Sequence, residues 1–481
     1  MTYAFVFDAS ACTGCKACQV ACKDKNQLPL GVLWRRVYEV TGGTWQQQGA
    51  AWTNTIFGST LSLACNHCVH PRCVGVCPTN ACTVRPDGIV YINPGICTGC
   101  GYCTWACPYD APQADTHAGV YSKCDLCRDY LDQGLPPACV SACPMRCLDL
   151  VDGEEGETIP GSIALWKVPA AEHPTPLPAT SRTEPHLIIH PHPSSNRNRE
   201  DAQISNREEI APGTTQPSIR REIPLVIFTL LTQMAAGIVG VVFFLGNLLQ
   251  TWQGIRENLL LPLVVALSAT LLGILVASLH LGTPGNAWRM VSHPRKSWLS
   301  RELLLVSLFT VFTTALLGLV LFPRALEISW LAAAGITFLA GAALVWSEHS
   351  VYRLHMVPAW DTYRTLAEFT GTSLLLGSLC AGLLLPIDLL QMTLPGLALT
   401  SAAGTLLELA ILPGRKTQVG RQVFTWRIAL LKVNLLFLIL LMVIPLPEIL
   451  SRIGLVILFL ASLAGEIMGR MEFYSRRRPG I

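Results

Sequence analysis

The chain has 481 residues, a formal net charge of +3, 51% hydrophobic residues and only 14% charged ones. With a mean hydropathy of +0.41 it is too apolar for an ordinary soluble enzyme, and its near-balanced charge excludes a basic nucleic-acid-binding protein. Of its 19 cysteines, 18 fall in the first 150 residues, so the chain divides sharply in character along its length.

Residues 1–160 form the cysteine-rich part, with short β-like runs at Tyr3–Phe7 and Ile89–Ile92 among many turn residues. Disulfide-dense proteins are mostly small and carry a secretory signal. The stretch Met1–Ser10 has no basic region, no long apolar run and no twin arginine, so metal ligation is the better reading. Four groups stand out: Cys12-x2-Cys15-x2-Cys18-x3-Cys22, Cys65-x2-Cys68-x4-Cys73-x3-Cys77-Pro78, Cys97-x2-Cys100-x2-Cys103-x3-Cys107-Pro108, and Cys124-x2-Cys127-x11-Cys139-x3-Cys143-Pro144. A [4Fe–4S] cube needs four thiolates at its corners. A C-x2-C-x2-C turn wraps three of them, and the remote fourth cysteine usually ligates the neighbouring cluster of a pair. Sixteen cysteines in four groups therefore predict four cubes, with the pairing between groups left open by the spacing. Structural zinc is the competing reading, but zinc sites need neither the third cysteine three residues on nor the fourth before proline. Cys82, Cys147 and Cys380 read as small buried hydrophobes.

Residues 161–222 are polar and rich in Pro, Ser, Asn, Arg and Glu. That composition predicts an extended linker or a tail that wraps a partner, whose Arg197, Arg199 and Arg207 read as solvated, with contact to a partner as the alternative. Residues 223–481 form an all-α polytopic domain of about eight transmembrane helices, over about 223–250, 259–281, 303–322, 329–348, 368–391, 394–412, 427–446 and 449–470, each near the ~20 residues that cross a bilayer. Seven helices is the alternative. An even number puts both ends of the domain on one side. That side carries 16 basic residues, among them Arg289, Arg295, Lys296, Arg301 and Arg470, against Arg256, Arg324 and Arg452 on the other. The positive-inside rule makes the richer side cytoplasmic.

Ionisable residues at the ends of these runs are functional candidates. His280 ends the second run, in SLHLGTPGNAWR, and Glu302 starts the third, in SWLSRE. A histidine titrates near neutral pH and can accept a proton from a quinol, and a carboxylate at a helix N-terminus can pass it on; from spacing alone a helix-end polar pair or docking contact is the competing reading. Asp388, Glu408 and Glu466 read equally as proton relays or interhelical hydrogen bonds. His280 and His349 could be argued as one pair of haem ligands, but no second set lies deeper, so no haem is expected. The sequence contains no phosphate-cradling loop, dinucleotide fingerprint or nucleophile constellation.

The stretches CTGCKACQVACKDKNQLPLGVLWRRVYEVTGGTW, CNHCVHPRCVGVCP and CTGCGYCTWACPYDAPQ resemble the iron–sulfur subunit of dimethyl sulfoxide reductase and its relatives over residues 1 to about 195. The resemblance implies an α+β double ferredoxin-like domain. It also implies the ligand sets Cys12, Cys15, Cys18 and Cys143; Cys22, Cys124, Cys127 and Cys139; Cys65, Cys68, Cys73 and Cys107; and Cys77, Cys97, Cys100 and Cys103. The stretches SLHLGTPGNAWR, SWLSRE, YRLHMVPAWDTYRT and EFYSRRRPGI resemble the membrane anchor subunit of the same enzymes, whose quinol-site histidine and glutamate match His280 and Glu302. The anchor is usually a separate polypeptide; here the two are fused, which holds them at one-to-one stoichiometry.

The resemblance further implies a separate catalytic subunit carrying a molybdenum bis(pterin guanine dinucleotide) cofactor. The expected function is to oxidise menaquinol and pass electrons through four [4Fe–4S] clusters to that subunit, which reduces dimethyl sulfoxide or a related S- or N-oxide. The alternative is the reverse flow, from a dehydrogenase such as formate dehydrogenase to quinone. A redox-sensing transporter would need inverted repeats with broken helices, which the sequence does not contain. The expected location is the cytoplasmic membrane with the cluster domain on the cytoplasmic face; the alternative is the periplasmic face, where many relatives work.

Overall fold

A computed structural model describes residues 3–152, 161–174, 176–178, 182–193, 202–205, 219–249, 256–322, 330–411, 428–433, 435–437, 439 and 447–475. It falls into two compact units, one of residues 1–218, 281–297 and 478–481, the other of residues 219–280 and 298–477.

In the first unit the strand Tyr3–Asp8 is the hub of a four-stranded sheet. Leu148–Asp152 runs antiparallel to it with Phe5 opposite Leu150, Leu187–His190 runs parallel with Phe7 opposite Ile189, and Ile163–Ala164 closes the edge. A second sheet pairs Arg36–Gly42 antiparallel with Phe57–Leu63, Tyr38 facing Leu61, and with Gln203–Ile204. Alternation along these strands sends Phe5, Phe7, Tyr38, Leu61, Leu63, Leu187 and Ile189 into one core. The stretch expected as a tail thus contributes strands to both sheets. The physical reason is local: LIIH, at 187–190, is a short apolar run inside polar surroundings, and three of its four residues are buried.

Short helices sit at the cysteine groups. Ala17–Lys25 carries Cys18 and Cys22, Arg72–Val76 carries Cys73, Tyr102–Ala106 carries Cys103, and Ala138–Ser141 carries Cys139.

The second unit is helical. Among the described residues six helices, over Glu222–Phe244, Leu260–Ser278, Trp298–Leu321, Trp330–Val351, Tyr363–Leu384 and Ile449–Ser475, are long and apolar enough to cross a membrane. A seventh, Ile387–Ile411, contains Pro395, and its shorter apolar part is Pro395–Leu407. Half of the expected run 427–446 lies outside the described residues, as do the tail arginines Arg197, Arg199 and Arg207 and the side chains of Asp388 and Glu408.

Boundaries shift where chemistry overrides hydropathy. The third run starts at Trp298 rather than 303, because the helix takes in the polar Ser300, Arg301 and Glu302 ahead of the continuous apolar stretch. The fifth ends at Leu384 rather than 391, because Leu385 precedes Pro386 and takes the extended conformation that proline imposes on its predecessor. The first and fifth spans touch at glycines: a Cβ on Gly377 would lie 2.8 Å from the Ile238 nitrogen, and one on Gly237 2.9 Å from Gly377 Cα. Small residues permit such close backbone contact between helices in lipid.

Candidate electron-transfer sites and a buried polar chain

The turns of the cysteine groups share one conformation. The residue before the second cysteine has positive φ in all four: Gly14 (69°), His67 (42°), Gly99 (70°) and Leu126 (63°). The left-handed residue reverses the chain and aims its own amide back at the first cysteine. Gly99 N–H donates to Cys97 Sγ and Leu126 N–H to Cys124 Sγ, each at 3.4 Å. Glycine accepts this conformation without strain; His67 and Leu126 take it at a cost that the packed surroundings must cover.

These turns bring remote cysteines together. Cys12, Cys15, Cys18 and Cys143 line one cavity. Cys65, Cys68, Cys73 and Cys107 line another, with Asn66 and Lys123. Cys22 lies in the electrostatic field of Cys139 and Cys127, and Cys124 in that of Cys22 and Cys139. Cys103 is a neighbour of Cys77, Cys97 and Cys100. Burial pushes the thiols of Cys22 and Cys100 up to about 12, and holds Cys68, Cys103, Cys107 and Cys124 well above the ordinary thiol range.

Such sites hold thiolates only if positive charge is supplied, and iron fits that requirement. Arg35 fits it too. The residue is 2% exposed, its Nη1 donates to Ser62 Oγ at 3.1 Å, and its Nε and Nη2 have no hydrogen-bond partner among the described residues. Orphaned buried donors among thiols suit an acceptor such as cluster sulfide. Among the described residues no three Cys, His, Asp or Glu side chains converge closely enough to hold a single metal ion.

Cys82 and Cys147 are buried, as expected, but they also touch candidate ligands. Cys82 N–H donates to Cys77 Sγ at 3.4 Å, and the Cys147 and Cys143 sulfurs are 3.5 Å apart. Cys380 is buried within the helix Tyr363–Leu384.

Residues 281–297 belong to the first unit and cover the Cys97–Cys103 turn. Thr283 N–H donates to Thr98 O at 3.2 Å, Thr283 Oγ1 to Cys97 O at 2.6 Å and Asn286 Nδ2 to Cys97 O at 3.1 Å. Ser297 Oγ donates to Val76 O at 2.7 Å, beside Cys77. The approach is backbone on backbone: a Cβ on Gly282 would lie 2.6 Å from the Gly119 carbonyl carbon.

Two family models match. Residues 56–153 match the 4Fe-4S dicluster domain, and residues 218–416 match the DMSO reductase anchor subunit. The first part is 46% identical to the B subunit of anaerobic dimethyl sulfoxide reductase from Haemophilus influenzae, over 39% of this chain and 89% of that protein. It is 42% identical to the Escherichia coli subunit of the same name, over 40% and 90%, and 36% identical to the B subunit of polysulfide reductase from Wolinella succinogenes, over 39% and 94%. The chain belongs to the dimethyl sulfoxide reductase family. It is a fusion of that family's iron–sulfur subunit with its membrane anchor, an electron-transfer subunit of an oxidoreductase complex. It is a membrane protein that carries iron–sulfur clusters.

In the anchor, His280 is half-buried in the turn after the helix Leu260–Ser278, its N–H bonded to Ala277 O at 3.1 Å. Glu302 is the fifth residue of its helix and 4% exposed, so it lies past the first turn, inside the bundle. An apolar cavity of about 470 Å³, lined by Gly237, Gly240, Phe338, Trp346 and Ser373 among others, touches neither.

Sequence reasoning missed a buried polar chain. Glu348, 0% exposed, accepts from Thr232 Oγ1 at 2.5 Å and Gln233 Nε2 at 2.6 Å. Arg470 Nη2 donates to Gln233 Oε1 at 2.5 Å and to Thr372 Oγ1 at 3.3 Å, and Thr372 donates to Glu466 Oε2 at 2.6 Å. Arg470, counted from sequence among the basic flanking residues, is 1% exposed and stacks over Phe369 at 3.8 Å. A buried guanidinium between two carboxylates offsets their charge, which places it inside the bundle instead of at the interface. The available signal was that Glu466 and Arg470 stand one helical turn apart. Glu466 makes an interhelical hydrogen bond to Thr372. His349 is buried, and its Nδ1 has no partner among the described residues.

Proposed function

We propose that the chain oxidises menaquinol at a site containing His280 and Glu302 and passes the electrons to a separate catalytic subunit. That partner would carry a molybdenum bis(pterin guanine dinucleotide) cofactor and reduce dimethyl sulfoxide or a related S- or N-oxide. The four cysteine sets would hold four [4Fe–4S] clusters, which carry one electron each when bound. Cys12, Cys15, Cys18 and Cys143 hold the first; Cys22, Cys124, Cys127 and Cys139 the second; Cys65, Cys68, Cys73 and Cys107 the third; Cys77, Cys97, Cys100 and Cys103 the fourth.

The observation that carries this reading is the docking of Thr283 and Asn286 on the Cys97 carbonyl. It ties the segment that begins one residue after His280 to the fourth cysteine set. His280 would take a proton from the quinol, and Glu302 would move it onward. The names of the relatives, reductases for dimethyl sulfoxide and polysulfide, support a reductase partner. The excess of arginines on one flank of the helices supports a cytoplasmic cluster domain in the cytoplasmic membrane, even with Arg470 removed from that group.

The test is purification of the tagged protein from native membranes, with partner identification and a molybdenum assay. A molybdopterin subunit should co-purify, a reduced menaquinol analogue should bleach the cluster absorbance, and His280→Ala should slow that bleaching at least tenfold while dithionite still bleaches fully. Clusters that no quinol analogue reduces, with no molybdenum in the preparation, would refute the proposal.

A further inference from the structure

Two cations are buried among the cysteines with no carboxylate beside them among the described residues. Lys123 is 2% exposed. Its Nζ donates to Cys65 Sγ at 3.2 Å, to Cys124 O at 3.1 Å and to Val90 O. Cys65 belongs to the third set and Cys124 to the second, so this ammonium stands between two candidate clusters. Arg35 occupies the equivalent place one interval along. Its electrostatic neighbours are Cys139, Cys18, Cys124 and Cys22, which belong to the first and second sets. Its planar face is held by Phe5, whose ring centroid is 4.5 Å from the guanidinium carbon. Taking a lysine or arginine out of water without a carboxylate partner is costly. The compensation has to come from negative charge at the thiol sites themselves.

We propose that Lys123 and Arg35 set the reduction potentials of the first three clusters, Lys123 acting between the second and third and Arg35 between the first and second. The inference rests on the reading that the cysteine sets hold clusters. Each one-electron reduction adds one negative charge to a cluster and its thiolates. A fixed cation a few ångströms away stabilises the reduced form more than the oxidised form, and low dielectric strengthens the effect. Charge and hydrogen bonds to the sulfurs are the protein's principal means of adjusting such potentials.

The fourth set differs. The largest charged influences on Cys100 and Cys103 come from thiols, chiefly Cys77 and Cys97. Lys123 and Arg35 thus raise the potentials of the first three clusters above what their thiolates alone would set.

The test is a potentiometric titration of the purified complex followed by electron paramagnetic resonance, with iron quantified in every variant. Lys123→Gln keeps a donor for Cys65 Sγ and removes the charge. It should lower the reduction equilibrium of one cluster of the second and third sets at least tenfold, about 59 mV for a one-electron couple. Lys123→Arg should stay near the unmodified value, which a purely structural role for the side chain does not require. Arg35→Gln should lower a potential assigned to the first or second set, with Arg35→Lys restoring it. Should Lys123→Gln fail to retain its clusters, the Arg35 pair decides the matter. Full iron content with potentials unmoved in the charge-removing variants overturns this inference alone. An unmodified chain without four clusters overturns the underlying reading.

Discussion

The contact between residues 281–297 and the Cys97–Cys103 turn depends on Gly282. Replacing it with alanine puts a Cβ 2.6 Å from the Gly119 carbonyl carbon and 2.9 Å from Gly119 Cα. The obstacle is backbone, so no side chain can rotate away. Gly119 has φ of 68°, and a Cβ on Gly99 would itself meet Gly282 Cα at 2.9 Å, so three glycine backbones meet here. Overpacking of this kind costs about 1–3 kcal/mol. With a rigid backbone on the opposing side, about 2 kcal/mol is expected for Gly282→Ala, a roughly thirtyfold fall in the docked population.

The hydrogen bonds from Thr283 and Asn286 to Thr98 and Cys97 open with it. Hydrogen exchange read by mass spectrometry on peptides covering 281–297 and 96–101 should accelerate by that factor. Reduction by a quinol analogue should slow while reduction by dithionite does not. Gly285→Ala is the control, because nothing lies within 4 Å of its Cβ position, and it should leave exchange unchanged. Unchanged protection in Gly282→Ala would refute the docking of residues 281–297 on the Cys97–Cys103 turn and, with it, the observation on which the proposed function rests.

Two further outcomes follow from buried and paired charges. Arg470→Leu leaves Glu348 and Glu466 without their cation and should cost about 3–5 kcal/mol, read as a lower melting temperature in detergent; adding Glu348→Gln should recover part of the loss, and an unaltered melt would contradict the charge balance. In the loop 352–362, burial raises the Asp361 carboxyl, but hydrogen bonds from His355 and from Arg353, whose Nε lies 3.3 Å away, more than offset it and hold it below the ordinary value. A depressed carboxyl stabilises the fold above its unfolded value of about 3.9 and loses that contribution as the pH falls through the lowered one. Asp361→Asn should therefore lose about 1 kcal/mol at neutral pH and flatten the acid limb of a pH-resolved unfolding curve.

The cysteine groups and the membrane runs were legible because their signals are local. A C-x2-C-x2-C turn is complete within seven residues, and its positive-φ positions fall at Gly14 and Gly99, where the residue type announces them. An apolar run of ~20 residues needs no partner to be recognised. His67 and Leu126 take the same turn conformation without announcing it, because the conformation there is imposed by surroundings and not by residue type.

What the sequence by itself determined was the chemistry of the donors, the count of cysteine groups, the apolar character of residues 223–481 and the fusion of the two subunits. Only the tertiary structure brought Cys143 to Cys12, Cys15 and Cys18, and Cys107 to Cys65, Cys68 and Cys73. It alone seated LIIH beside the first strand, folded residues 281–297 onto the Cys97 carbonyl, and buried Arg35, Lys123, Glu348 and Arg470. Local propensity acts over one or two turns of chain. Pairings across tens of residues or more are decided by which arrangement of packed elements lets most buried charges and donors find a partner.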